Sequence, residues 1–274
     1  MKIIAWNIAH RKESWRYLLD TGADIALLSE ASAPPDDVAE QLDIDPGPWR
    51  TAGAEMNRPW RAAIVKLSDR VDVQWIESKS VADAASGDFA VSRGGTLSAA
   101  VVTPREGEPL VVVSMYGAWE SLHTTTSRSW IYADASVHRL ISDLSVFIGS
   151  KTRHRILAAG DLNILHGYGD HGNAYWASRY ESVFSRMAAL GLTFVGPQSP
   201  NGRQADPWPD ELPAESDNVP TFYARHQTPA TATRQLDFVF ASTRLANHVS
   251  VSALNDPDRW GPSDHCLIEI EVGS

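Results

Sequence analysis

Arg155-Ile156-Leu157-Ala158-Ala159-Gly160-Asp161-Leu162-Asn163 is the stretch on which the reading of this chain turns. Residues 155–159 form an apolar run between turn signals, with the length of a short buried β-strand. A strand that crosses a core and emerges on Gly-Asp-x-Asn sets a carboxylate beside an amide at its C-terminal end. Layered α/β domains carry their chemistry there. Asp and Asn also cap turns readily, so the tetrapeptide by itself fits an Asx turn equally well.

Four more polar residues or clusters stand at the ends of apolar strands. Trp6-Asn7 follows Lys2-Ile3-Ile4-Ala5, and Glu30 follows Asp24-Ile25-Ala26-Leu27-Leu28-Ser29. Asp237 sits in Leu236-Asp237-Phe238-Val239-Phe240, and Ser263-Asp264-His265 precedes Leu267-Ile268-Glu269-Ile270-Glu271-Val272. In this order and spacing the five motifs resemble the endonuclease/exonuclease/phosphatase superfamily. That group includes deoxyribonuclease I, exonuclease III-type AP endonucleases, inositol polyphosphate 5-phosphatases, bacterial sphingomyelinases and nocturnin-type enzymes. The resemblance runs from Ile4 to Val272, and it implies a four-layer α/β sandwich.

The order of elements along the chain is compatible with that expectation. A strand from Lys2 to Ile8 is followed by a helix from Lys12 to Asp20 with Trp15, Leu18 and Leu19 on one face, then by a strand from Ile25 to Ser29. Pro34-Pro35-Asp36-Asp37 starts a second helix through Leu42, with Pro and acids in its first turn. Antiparallel strands are expected at Ala62–Leu67, Val71–Ile76, Thr96–Val102 and Leu110–Val113. Arg93-Gly94-Gly95 reads as a hairpin turn or, through its backbone N–H groups, as a phosphate cradle. Amphipathic helices follow from Ser129 to Ile148 and from Tyr175 to Leu190, the second stopped by Gly191. Residues 196–220, rich in Pro, read as a long surface loop before strand signals resume at Thr221-Phe222-Tyr223. Strands at Leu236–Ala241, Val249–Leu254 and Leu267–Val272 complete two sheets packed face to face with helices outside. Motifs at both ends of the 274 residues point to one domain.

Composition narrows the partners. A net charge of −10 argues against a broad basic surface for nonspecific duplex binding. Lysine occurs only at positions 2, 12, 66, 79 and 151, so most of the basic residues are Arg, which suits bidentate phosphate contacts. The single Cys266 forms no intramolecular disulfide and fits a small core residue. The chain opens on a strand rather than a basic-plus-apolar leader, and no run approaches the ~18 apolar residues of a membrane helix. A soluble, cytoplasmic, monomeric protein is the expectation.

Phosphodiester cleavage needs charge neutralisation, a positioned water and a stabilised leaving oxygen. Hard oxygen ligands select Mg²⁺ or Mn²⁺, and Mg²⁺ takes only one or two carboxylates while keeping several waters. On the resemblance, Glu30 is the chief metal ligand, with Asn7 supporting it and Asp264 nearby. Asp161 orients and polarises the attacking water, and Asn163 donates to the pentacovalent transition state. His265, paired with Asp237, holds the scissile phosphate as a cation. Tyr116 matches a phosphate-contacting Tyr of the AP endonuclease branch, and His166 falls where some relatives carry His. Bland alternatives stand beside each: a helix-start acid for Glu30, a satisfied core histidine for His265, an ordinary strand-end aromatic for Tyr116.

The chain departs from the AP endonuclease pattern in three places. Ala9 stands where that branch has an acid, which puts a second metal in doubt. Arg234 stands in place of an aromatic of the abasic-sugar pocket. Leu28-Ser29-Glu30 replaces Leu-Gln-Glu. The reading is a Mg²⁺/Mn²⁺-dependent phosphodiesterase acting on DNA or RNA. The alternatives are a hydrolase of inositol phosphates, sphingomyelin or another small phosphoester, and a catalytically idle binding module. Trp119, Trp130, Trp176, Trp208, Arg128, Arg179 and Arg203 are candidates for a nucleic-acid groove, and His123 and Arg128 lie in the segment after Tyr116 where substrate contacts are expected.

Overall fold

The computed structural model of the protein describes residues 1–52, 58–121, 130–131, 133–149, 154–168 and 173–273. The N-terminal third runs β1 (Lys2–Asn7), α1 (Lys12–Leu19), β2 (Ile25–Ala31), α2 (Asp36–Ala39), β3 (Asp43–Ile44), β4 (Arg61–Lys66), β5 (Val71–Ile76), β6 (Ser78–Ser80) and β7 (Phe89–Val91). There follow β8 (Leu97–Pro104), β9 (Leu110–Tyr116), β10 (Glu120–Ser121), β11 (Trp130–Ile131), α3 (Ala133–Leu144), β12 (Ile156–Asp161) and α4 (Ala174–Ala189). The chain ends with β13 (Leu192–Gly196), β14 (Asp237–Ser242), α5 (Thr243–Ala246), β15 (Val249–Ala253) and β16 (Ile268–Val272).

Two six-stranded sheets carry the fold, in the orders β15-β16-β1-β2-β4-β3 and β13-β14-β12-β9-β8-β5. The first and last strands of the chain are neighbours, with Lys2 opposite Glu271 and Ala5 opposite Ile268. Each sheet has one parallel pair near its middle, β1 with β2 and β9 with β12, inside otherwise antiparallel ladders.

The strands that form these pairs read as continuous apolar runs because both of their faces are covered. Ile3 and Ala5 face the core between the sheets, whereas Ile4 and Trp6 face Trp15 and Leu18 of α1. In the other sheet Leu157, Ala159, Val239 and Ala241 face inward. Ile156, Ala158, Phe238 and Phe240 pack on Val137 and Ile141 of α3 and Val183 and Met187 of α4. Helices, sheet, sheet and helices make the four layers expected from the sequence. A buried carboxylate also ties the sheets together. Asp45 accepts from Arg61 Nη1 (2.6 Å) and Ile64 N in one sheet and from Ser98 Oγ (2.7 Å) in the other. Removing one partner from such a pair costs about 3–5 kcal/mol.

Several boundaries differ from expectation. The second helix is only Asp36–Ala39, since Leu42 leads directly into β3. The long helix before β12 spans Ala133–Leu144 and gives way to a 3₁₀ turn at Ser145–Phe147. β13 was not foreseen, because Leu192-Thr193-Phe194-Val195 is short and follows a helix without a polar break. Thr221–Tyr223 contributes no strand: Phe222 makes only isolated bridges to Arg234 and His265. Among the described residues no helix is long and apolar enough to cross a membrane.

Gly160 sits where β12 crosses β9 most closely. Its φ is +154°, and a Cβ added there would lie inside the van der Waals radius of the Met115 carbonyl oxygen. Gly160→Ala must therefore push the two central strands apart, at a cost of about 1–3 kcal/mol or more. Thermal unfolding is expected to show a melting temperature lowered by at least several degrees.

Candidate active site

The direction of the strands decides which residues meet. Asn7, Glu30, Tyr116 and Asp161 occupy the C-terminal ends of the two parallel pairs. Asp237 opens β14, antiparallel to β12 and in register opposite Asp161. His265 lies just ahead of β16, which runs antiparallel to β1. All of these positions belong to the same end of the sandwich, and the side chains touch across the gap between the sheets.

Asp161 is the hub. It is 1% exposed, and its Oδ2 accepts from Asn7 Nδ2 (2.8 Å) and Asn163 Nδ2 (3.0 Å). Oδ1 accepts from the Asn163 backbone N–H (2.8 Å), an Asx turn that holds Asn163 at φ +53°. The turn and the polar cluster are therefore the same object. The Asn163 amide also reaches the Gly117 carbonyl at 3.3 Å.

His265 Nδ1 is 2.7 Å from Asp237 Oδ2, and its Nε2 lies 3.9 Å from Asp161 Oδ2. Thr221 Oγ1 donates to the same Asp237 oxygen at 2.7 Å. The backbone of His265 is fixed from the first strand, since Trp6 Nε1 donates to its carbonyl (2.9 Å). Ser263 Oγ donates to the Asn7 carbonyl (2.7 Å) and accepts from the His265 N–H. The motifs nearest the two termini are thus hydrogen-bonded to each other.

Electrostatics follow from this packing. Burial alone lowers the affinity of His265 for a proton, but the carboxylates of Asp237 and Asp161 outweigh it and push the imidazole up to about 10. Asp161 is driven above the usual carboxylate range by burial, against the pull of His265 and with the help of Asp237 and Glu30. One imidazolium therefore faces three converging carboxylates.

Glu30 sits on a bulge, at φ +47°, where the β2–β4 register shifts between Leu28 and Ala31. Its Oε1 accepts from Tyr116 OH at 2.9 Å. Burial, with Glu30 close by, keeps the Tyr116 hydroxyl protonated well beyond its usual range. Asp264 is half-buried and its Oδ1 lies 3.3 Å from Ser263 Oγ. The Asn7 oxygen accepts from the Ala9 N–H (2.9 Å), so Ala9 serves the site through its backbone. Excess negative charge and hard oxygen donors on the Glu30 side fit a divalent cation of the Mg²⁺ type. Ligand atoms of Asp161, Asp237 and His265 also lie within 4.8 Å of one another, a metal-like spacing. The 2.7 Å contact between Nδ1 and Oδ2 occupies that pair, however, and marks it as a charge-paired couple.

Other candidates lie elsewhere. His166 is wedged among Phe184, Phe194 and Phe238, and burial lowers its proton affinity. Asn218 donates to the His166 carbonyl at 2.6 Å, so this histidine anchors the loop after Asn163 to residues 196–220. Arg179 is paired with Asp134, Arg203 donates to the Gln204 and Pro229 carbonyls, and Trp208 donates to the Leu212 carbonyl. Trp176 stacks on Tyr180. His123 and Arg128 lie outside the described residues. Sequence reasoning missed Ser29, whose hydroxyl donates to the Met115 carbonyl and accepts from the Asp161 N–H. It also missed Thr221 and Arg58, the latter 2.9 Å from Tyr116 OH.

No protein-family model matches the chain, and no curated protein matches it in sequence. Solved structures do share its fold. An AP endonuclease from Archaeoglobus fulgidus superposes with a TM-score of 0.63 at 16% identity over 100% of both chains. The AP endonuclease LMAP from Leishmania major gives 0.61 at 16% identity, covering 100% of this chain and 87% of that one. The 3'-5' exonuclease NExo from Neisseria meningitidis gives 0.58 at 19% identity over 100% of both. The fold is that of the endonuclease/exonuclease/phosphatase superfamily.

The raised His265 has a measurable consequence. Its folded value of about 10 lies above the ordinary 6.5. The stabilisation it contributes is therefore fully present below about pH 6.5 and is lost as pH rises through about 10. In metal-free protein, the destabilisation caused by Asp237→Asn, measured by urea unfolding, is expected to shrink over that window. A cost independent of pH would show that the imidazole is not charged.

Proposed function

We propose that this protein is a divalent-metal-dependent phosphodiesterase acting on nucleic acid, with Mg²⁺ or Mn²⁺ as cofactor. The observation that carries the reading is the convergence of Asp161, Asn163, His265 and Asp237 with Glu30 at one end of the sandwich. The nuclease neighbours, which include two AP endonucleases and a 3'-5' exonuclease, agree with it. Glu30 would hold the metal, with the free lone pair of the Asn7 oxygen and the Asp264 carboxylate as further donors. When bound, the ion supplies neutralising charge for the phosphate and leaving oxygen.

The chain's own residues do the rest. His265, kept protonated by Asp237, presents Nε2 as the donor that holds a non-bridging phosphate oxygen. Asp161 accepts a proton from the attacking water. Its lone pairs are aimed by the Asn7 and Asn163 amides, so the carboxylate need not reorganise in the transition state. The long contact from Asn163 to the Gly117 carbonyl is the one a phosphoryl oxygen replaces as charge develops there. In-line attack then expels the leaving oxygen on the side of the site away from Asp161. A catalytically idle module would have no use for a buried carboxylate held ready in this way.

The test is a hydrolysis panel with Mg²⁺, Mn²⁺ or EDTA. It holds duplex DNA, abasic duplex, single-stranded DNA, RNA, inositol phosphates and sphingomyelin. Metal-dependent cleavage of a nucleic acid is expected, with Asp161→Asn and His265→Ala each losing about 10³-fold or more while remaining folded. Full activity in EDTA, or in either variant, would overturn the assignment.

A further inference from the structure

Beside Glu30 stands a group of side chains that hydrolysis itself does not use. Arg58 Nη1 donates to Tyr116 OH (2.9 Å) and Nη2 to the Trp119 carbonyl (2.7 Å). Tyr116 OH in turn donates to Glu30, so the guanidinium is two hydrogen bonds from the candidate metal ligand. Arg16, Arg61, Arg70 and Arg179 each lie against a carboxylate, whereas Arg58 has none within 4.0 Å among the described residues. In a chain of net charge −10 that is a conspicuous unneutralised cation, with N–H donors to spare.

The guanidinium carbon lies 5.9 Å from the centre of the Trp60 ring. The His10 ring packs on Trp60 at 4.8 Å, tilted by 36°. His10 is exposed, sits at φ +49°, and its N–H donates to the Glu30 carbonyl at 2.9 Å. Trp60 Nε1 reaches Tyr116 OH at 3.4 Å. An aromatic pair and a cation are thus fastened to the same two residues, Glu30 and Tyr116, that line one side of the site. Nothing in the packing requires an exposed imidazole at a left-handed backbone position against a tryptophan. A base beside the scissile phosphate would have a use for it, since stacking on an aromatic face accepts any base once it has left its own stack.

We infer that Arg58, Trp60 and His10 form a nucleotide subsite flanking the scissile phosphate. Arg58 takes a phosphate oxygen and the His10–Trp60 pair stacks the attached base, which selects single-stranded or frayed ends over intact duplex. This inference rests on the phosphodiesterase reading and deepens it.

The experiment measures binding in EDTA at low ionic strength, by fluorescence anisotropy. The probes are a labelled single-stranded DNA and a strand of equal length made of tetrahydrofuran abasic units. Wild-type protein is expected to bind the base-bearing strand at least about fivefold more tightly. Trp60→Leu and His10→Asn remove that preference, Trp60→Phe restores most of it, and Arg58→Gln weakens both strands alike. His10→Asn suits the positive φ and leaves the core untouched, so the test does not depend on the tryptophan variants folding. Equal binding of the two strands by wild type, or a preference unchanged in His10→Asn, would overturn the subsite. Because the readout needs no turnover, strand preference without cleavage in any metal would overturn the hydrolase reading and leave the subsite standing. Cleavage without preference would do the reverse.

Discussion

A carboxylate almost without solvent is the constraint around which this molecule is arranged. Asp161 is buried between two sheets with Asp237 and Glu30 close by. Such a group stays in a folded protein only if its oxygens are hydrogen-bonded and its charge is balanced. Asn7 reaches it from the other sheet, the Asx turn of Asn163 wraps it from its own loop, and His265 balances it from the far end of the chain. Remove any one of these and the others lose their reason to be where they are. The same constraint fixes Gly160, because Asp161 reaches its place only if β12 passes β9 without a side chain between them.

Strand polarity explains why so few residues suffice. Each sheet contains one parallel pair, so four C-terminal ends point the same way, and the antiparallel neighbours contribute their N-terminal ends to the same edge. A polar residue placed just past an apolar run is therefore delivered to one surface whichever sheet it belongs to. This is also why the five motifs were legible. Asn7, Glu30, Asp161, Asp237 and His265 each stand beside a run whose length and bulk announce a buried strand, and a buried strand can only present its polar residues at its ends. The four layers were legible for the same reason, since amphipathic helices and doubly covered strands leave opposite periodicities.

What escaped the sequence was held by contacts that leave no local pattern. Ser29 and Thr221 look like ordinary small polar residues, and only the approach of the second sheet or of a distant loop gives their hydroxyls a task. Arg58 stands in a polar turn just before β4, and its role depends on Tyr116 lying across from it. His166 was a candidate by position, yet its ring is surrounded by three phenylalanines, which makes it an anchor of the loop. Helix ends were misplaced where a short strand or a 3₁₀ turn followed directly, because apolar periodicity does not record where the backbone bonds change partners. β13 was lost to the same ambiguity.

The central claim is a division of labour, with a cation on the Glu30 side and a phosphate on the His265 side. Crystals soaked with Mn²⁺ and a nucleoside monophosphate would test it most directly. The account predicts an anomalous peak bound to a Glu30 carboxylate oxygen, with the phosphate within hydrogen-bond reach of His265 Nε2. An anomalous peak between Asp161, Asp237 and His265 instead, with Glu30 still bound only to Tyr116, would contradict it.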